Sequence, residues 1–107
     1  MKVNCKNNGV KQSLIRVLVV DDSRSAREYL SCLIDSDDEL EVAGFASSGE
    51  EAISKVKRLE PDVVTMDINM PGLDGFKTTR RLMETQPLPI VIVSSHYDPS
   101  DAEKSFQ

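Results

Sequence analysis

The sequence predicts an α/β fold in which a parallel sheet is wound with helices on both faces. Three observations predict it. Short, largely β-branched runs recur along the chain and are apolar at nearly every position, as strands are when both faces are covered. Segments with the apolar period of a helix separate them. The connections are short and built from Gly, Pro, Asp and Ser. The resulting alternation, β-α-β-α-β-α-β-α, implies a three-layer doubly wound parallel sheet.

Each element has its own signal. Residues 1–13 (MKVNCKNNGVKQS) are polar, rich in Asn and Lys and without period, so a disordered tail is expected there, with one domain over 14–107. Leu14 to Val20 reads as a buried first strand ending at Asp21-Asp22-Ser23. From Ser23 to about Ser36, Ala26, Leu30, Leu33 and Ile34 fall on one face of a helix, which Asp35-Ser36-Asp37-Asp38 breaks. Leu40 to Ala46 is a second strand, with Leu40, Val42 and Gly44 assigned to one side. Ser47-Ser48-Gly49-Glu50-Glu51 opens a second helix with acids in its first turn. Its apolar positions are Ala52, Ile53, Val56 and Leu59, and Pro61 closes it. Val63 to Asp67 is the third strand. A third helix runs from about Asp74 to Thr85, with Phe76, Thr79, Leu82 and Met83 inward, and Pro87 and Pro89 end it. Ile90 to Ser94 is a fourth buried strand, His96 to Pro99 a loop, and Ser100 to Gln107 the start of a fourth helix. Right-handed crossovers leave few strand orders, and the flavodoxin-like order with strand 1 central is the one expected.

Composition narrows the function. The 107 residues suffice for one small domain. Net charge is −5, and because Lys2, Lys6 and Lys11 sit in the tail, residues 14–107 carry −8. No basic face is available for a nucleic-acid backbone, whereas a cation suits the balance. Cys5 and Cys32 are too few for a disulfide framework or a zinc site and read as free thiols. No apolar run is long enough to span a membrane and the N-terminus lacks a signal-peptide core, so a cytoplasmic protein is expected.

The chemistry converges on the strand ends. Asp21 and Asp22 end strand 1, Asp67 ends strand 3, and Ser94-Ser95 end strand 4. In open α/β sheets the ligand site lies outside the carboxyl ends of the strands. Three carboxylates gathered there repel one another unless a cation neutralises them. An oxygen-only cluster suits Mg2+, with Asp22 and Asp67 as direct ligands, the backbone carbonyl of Asn69 as a third, and Asp21 acting through water. A metal beside a carboxylate permits phosphoryl transfer: Asp67 attacks in line, Ser94 hydrogen-bonds a phosphoryl oxygen, and an aspartyl phosphate results. Plainer readings exist for each residue. Asp67 could simply start a turn, Asp22-Ser23 could simply cap a helix, and Ser94 could be an ordinary strand-end hydroxyl. For Asp74 the capping role is preferred. His96 has no ligand partners, Met66, Met70 and Met83 read as packing, and Arg24, Arg27, Arg80 and Arg81 read as solvated helix faces. The paired acids after strand 1 together with the acid after strand 3 favour a functional site.

Val17-Leu18-Val19-Val20-Asp21-Asp22-Ser23, the run from Met66 to Gly75 (MDINMPGLDG) and the run from Leu88 to Ser95 (LPIVIVSS) resemble the receiver domain of two-component response regulators. The resemblance covers about residues 14 to 107. It implies that Asp67 is the phosphoacceptor of a sensor histidine kinase, that Mg2+ lies at Asp22 and Asp67, and that Ser94 is the switch hydroxyl. Within the family, Asp37 to Gly44 (DDELEVAG), Pro61 to Ile68 (PDVVTMDI) and Pro87 to Ser95 (PLPIVIVSS) are similar to the receivers of chemotaxis protein-glutamate methylesterases. Those proteins join a receiver to a C-terminal hydrolase. The chain holds no Gly-x-Ser-x-Gly motif, so an esterase activity would belong to a longer parent. The family pattern continues with a fifth strand bearing a Lys and then a fifth helix, whereas this sequence stops at Gln107, inside helix 4. A receiver topology truncated after strand 4 is therefore expected, with strand 4 a bare apolar edge open to an effector domain or a homodimer partner. Two other functions compete. A haloacid-dehalogenase-type phosphatase would carry Asp-x-Asp, but Asn69 stands two residues after Asp67. A receiver-like interaction module would have lost phosphotransfer.

Overall fold

The computed structural model describes residues 14–93. The expected tail, the Ser94 hydroxyl, the 96–99 loop and the fourth helix lie outside the described residues. Four strands and three helices alternate: β1 (Ile15–Val20), α1 (Arg24–Asp35), β2 (Leu40–Ala46), α2 (Gly49–Leu59), β3 (Val63–Asp67), α3 (Gly75–Thr85) and β4 (Ile90–Val93). All strand pairs are parallel, in the order β2-β1-β3-β4.

Successive strand residues point to opposite faces, and β1 splits its side chains accordingly. Leu18 and Val20 join Ala52 and Val56 of α2, Leu82 of α3, and Val64 and Met66 of β3 in one core. Val17 and Val19 join Ile34 in the other, with Leu30 and Val42 packed against it. Helix α1 therefore covers one face, and α2 and α3 cover the other.

The helices begin where their sequences supply a side-chain acceptor for an otherwise unpaired backbone donor. Ser23 Oγ accepts from the Ala26 N–H at 3.3 Å, Ser48 Oγ from Glu51 at 3.1 Å, and Asp74 Oδ1 from Lys77 at 2.9 Å. At the far end of α2, Glu60 turns left-handed at φ 50. The Arg16 guanidinium donates to the carbonyls of Leu59 at 2.7 Å and Glu60 at 3.1 Å, binding acceptors the helix leaves over.

Several expected faces are corrected. The β1–β2 register jumps from Val17↔Val42 to Leu18↔Gly44, so Ala43 is an extra residue, a bulge. Gly44 therefore does not share a side with Leu40 and Val42. A Cβ there would meet Leu59 2.8 Å away and Leu18 3.7 Å away, on the α2 side of the sheet. Helix α1 buries Ile34 but leaves Leu33 half exposed. Helix α3 buries Gly75, Thr78 and Leu82, while Phe76 and Met83 face outward. Leu82 is inward as expected, and Thr78 takes the buried position one turn before it, its hydroxyl donating to the Asp74 carbonyl at 2.7 Å. Strand β4 is not buried on both faces, since Val91 and Ile92 are substantially exposed.

Candidate functional site

Both acid-bearing strands end at the same edge because β1 and β3 are parallel neighbours, with Val20 opposite Met66. The next residues are Asp21 and Asp67, and each is 1% exposed. Asp22 follows Asp21 and is exposed. One carboxylate oxygen from each of Asp21, Asp22 and Asp67 lies within 4.8 Å of the others. Two adjacent acids and a third, 45 residues further along the chain, thus form one cluster at the end of the sheet.

Local bonds hold the cluster. The Asp21 N–H donates to the Ala46 carbonyl at 3.0 Å, extending the β1–β2 ladder by one step. Asp21 Oδ1 accepts from the Ser23 N–H at 2.8 Å, an Asx turn that aims the chain into α1. Asp67 Oδ1 accepts from the Asn69 N–H at 3.3 Å. The cap of α1 is Ser23, so capping does not account for Asp22. Asp74, by contrast, is the cap of α3.

The loop after Asp67 returns upon itself. The Met70 and Gly75 N–H groups both donate to the Ile68 carbonyl, at 3.2 and 3.1 Å. Gly72 takes φ 76, a left-handed conformation that Gly adopts without steric cost. Gly75 sits against the backbone of the phosphoacceptor candidate: a Cβ there would lie 2.8 Å from Ile68 Cα and 2.9 Å from the Asp67 carbonyl carbon. Gly75 lies at the start of the expected third helix, and its close approach to Asp67 has no local signal in the sequence. The Asp-Gly pair was visible, but nothing local says that a strand backbone passes beneath it.

A second residue was misread. Arg27 is not simply part of a solvated face: its Nη1 donates to the Asp21 carbonyl at 2.7 Å. Arg24 does behave as expected, pairing with Glu28 at the surface at 3.2 Å. Ser94 follows Val93, the register partner of Asp67, and lies outside the described residues. Asn69 is exposed in the loop immediately after Asp67. Cys32 is a free, exposed thiol. Among the described residues no helix is long and apolar enough to cross a membrane.

Comparison with known proteins places this geometry. The family model described as the response regulator receiver domain matches residues 17–107. A protein-glutamate methylesterase/protein-glutamine glutaminase of Syntrophus aciditrophicus is 51% identical over 94 residues, covering 88% of this chain and 27% of the relative. A namesake from Geobacter metallireducens is 49% identical over the same length, with the same coverage. The chain thus spans about a quarter of the length of these curated relatives. The crystal structure of the response regulator domain of Thermotoga maritima CheB superposes with a TM-score of 0.75 at 43% identity, covering 86% of this chain and 69% of that one. The CheX-CheY-BeF3-Mg2+ complex of Borrelia burgdorferi matches with a TM-score of 0.68 at 28% identity, over 86% of this chain and 70% of that one. With the strand order, the acid cluster and the matched span in agreement, the chain belongs to the response regulator receiver family and is similar to the receivers of chemotaxis methylesterases.

Proposed function

We propose that the chain is a phosphoacceptor switch, phosphorylated on Asp67 by the phosphohistidine of a sensor histidine kinase. The observation that carries this reading is the convergence of Asp21, Asp22 and Asp67, with ligand oxygens within 4.8 Å of one another. Oxygen-only donors on loop ends fit a hard divalent cation that keeps several waters, and Mg2+ is the ion assigned. Asp22 and Asp67 would hold it directly with the Asn69 carbonyl, and Asp21 through water. Once bound, the ion supplies positive charge that offsets the carboxylates and the transferring phosphoryl group. A structural relative solved with BeF3 and Mg2+ supports that choice.

The remaining work falls to the chain itself. An Asp67 carboxylate oxygen attacks phosphorus in line; the new P–O bond forms as the P–N bond to the donor histidine breaks, and the product is an aspartyl phosphate. Burial of Asp67 at a rigid strand end, over a loop closed by Gly75, orients that oxygen before the donor arrives. Ser94 is assigned to hydrogen-bond a phosphoryl oxygen and, by moving toward it, to re-pack the following loop as a two-state switch. The test is labelling by a small phosphodonor such as acetyl phosphate. The parent chain incorporates phosphate with Mg2+ and not with EDTA, and Asp67→Asn incorporates none; parent-level labelling of Asp67→Asn would sink the reading.

The relatives' names and the quarter-length coverage support a second step: this receiver controls a methylesterase domain in a longer cytoplasmic chemotaxis protein. Reading the coding sequence beyond Gln107 tests it, and a continuation into an unrelated effector would refute it.

A further inference from the structure

We propose that Arg27 is a positioning residue for the acid cluster: by holding the Asp21 carbonyl it fixes the peptide between the two adjacent acids and so sets where Asp22 presents its carboxylate to a divalent cation. The inference rests on the Mg2+ reading of the site. Asp21 is restrained at three points. Its N–H is tied to the Ala46 carbonyl at 3.0 Å, its Oδ1 to the Ser23 N–H at 2.8 Å, and its carbonyl to Arg27 Nη1 at 2.7 Å. Of these, the Arg27 bond alone acts on the peptide that joins Asp21 to Asp22.

That peptide is planar. Fixing its carbonyl oxygen fixes the direction of the Asp22 N–H and leaves Asp22 its own backbone and side-chain torsions. Asp21 and Asp67 are buried at the strand ends, whereas Asp22 is exposed. The bond from a guanidinium is charge-assisted and directional, and the backbone of Arg27 is fixed in the first turn of α1, its N–H donating to the Ser23 carbonyl at 3.0 Å. Arg27 also lines a surface cavity of ≈ 250 Å³ with Arg24, Glu28 and Phe45.

The alternative is that any positive charge on the first turns of α1 would serve equally. Arg24 supplies the control: it lies on the same helix and pairs with Glu28, with 85% of its side chain exposed. Mg2+ binding is measured on the 107-residue chain by calorimetry, and Mn2+ binding by loss of the free-ion resonance signal, for Arg27→Met, Arg27→Lys and Arg24→Met. Partners one step behind a metal ligand commonly change affinity by 10–100-fold, so Arg27→Met is expected to weaken Mg2+ roughly tenfold or more. Arg27→Lys restores part of the loss, because it keeps a donor but not the planar fork. Arg24→Met stays within about twofold of the parent, its charge being screened by solvent. Should Arg27→Met not fold, Arg27→Gln makes the same comparison, its shorter amide lacking the reach. Parent-level affinity in the Arg27 variants overturns the proposal, and so does an equal loss in Arg24→Met. If the parent itself takes up no Mg2+, the metal reading of the site fails, before any variant is considered.

Discussion

The central β1 run Val17-Leu18-Val19-Val20 and the β4 run Ile90-Val91-Ile92-Val93 are almost interchangeable as sequence, yet they occupy different environments. Every residue of the first is at most 3% exposed, whereas Val91 and Ile92 of the second are 52% and 41% exposed. β1 has a strand on each side and helices above and below, while β4 pairs with β3 alone among the described strands. An apolar run states a demand for burial; its neighbours decide whether the demand is met. The β2 edge adds a third case. There α2 braces the strand end, with Lys55 donating to the Phe45 carbonyl and Glu51 Oε1 accepting from the Ser47 N–H at 2.7 Å. The catalytic candidates grow from the best-shielded part of the sheet, which keeps a reactive carboxylate still.

The largest test of this contrast is truncation at the two strands. Leu18→Ala opens a cavity in the closed core and is expected to cost about 2–5 kcal/mol in urea denaturation. Val91→Ala, at the half-open strand, is expected to cost about 0.5 kcal/mol. Equal costs would show that β4 is as shielded as β1 in solution. A middle-sized effect is expected where the centre meets the site. Gly75→Ala forces a Cβ against the Asp67 backbone, so a loss of about 1–3 kcal/mol should accompany slower labelling of Asp67, read in the acetyl phosphate assay. Loss of stability with unchanged labelling would detach the loop from the chemistry.

The smallest effect belongs to the β2 brace. The Ser47 backbone N–H, then the Lys55 ammonium, hold the Glu51 carboxyl well below its ordinary 4.5, at about 2. A carboxyl lowered by folding stabilises the fold above the unfolded value and loses that contribution as pH falls through the folded one. The parent should therefore exceed Glu51→Gln in stability at neutral pH, and the gap should close between about pH 4.5 and 2. Solvent screening of this partly open carboxylate keeps the gap to about 0.5 kcal/mol or less. A gap that persists at pH 2 would assign the effect to packing instead.

Much of the architecture was readable from residue order. β2 and β3 run over the expected residues, and Ser48 and Asp74 begin their helices as acceptors. These features are local: a strand's composition, a cap's side chain and a Pro or Gly act over a few residues. The failures share the opposite character. Gly44 changed sides because Ala43 bulges against β1, a fact of pairing rather than of β2. Phe76 and Met83 look like core residues in their own helix, yet the packed structure leaves them 62% and 44% exposed. Arg27 looks like any helical Arg until the Asp21 carbonyl is placed within its reach.

By itself the sequence determined which of the described elements form, in what order, and that acids would end two of the strands, because periodicity and turn chemistry are written within each segment. The sequence also expected Asp21, Asp22 and Asp67 to gather at one edge; the tertiary structure alone decided that their oxygens come within 4.8 Å, that Gly75 sits against the Asp67 backbone, and that β1 and β4 part company in burial. Those outcomes depend on strand order, register and layer packing, which set distances between residues that no local interaction connects.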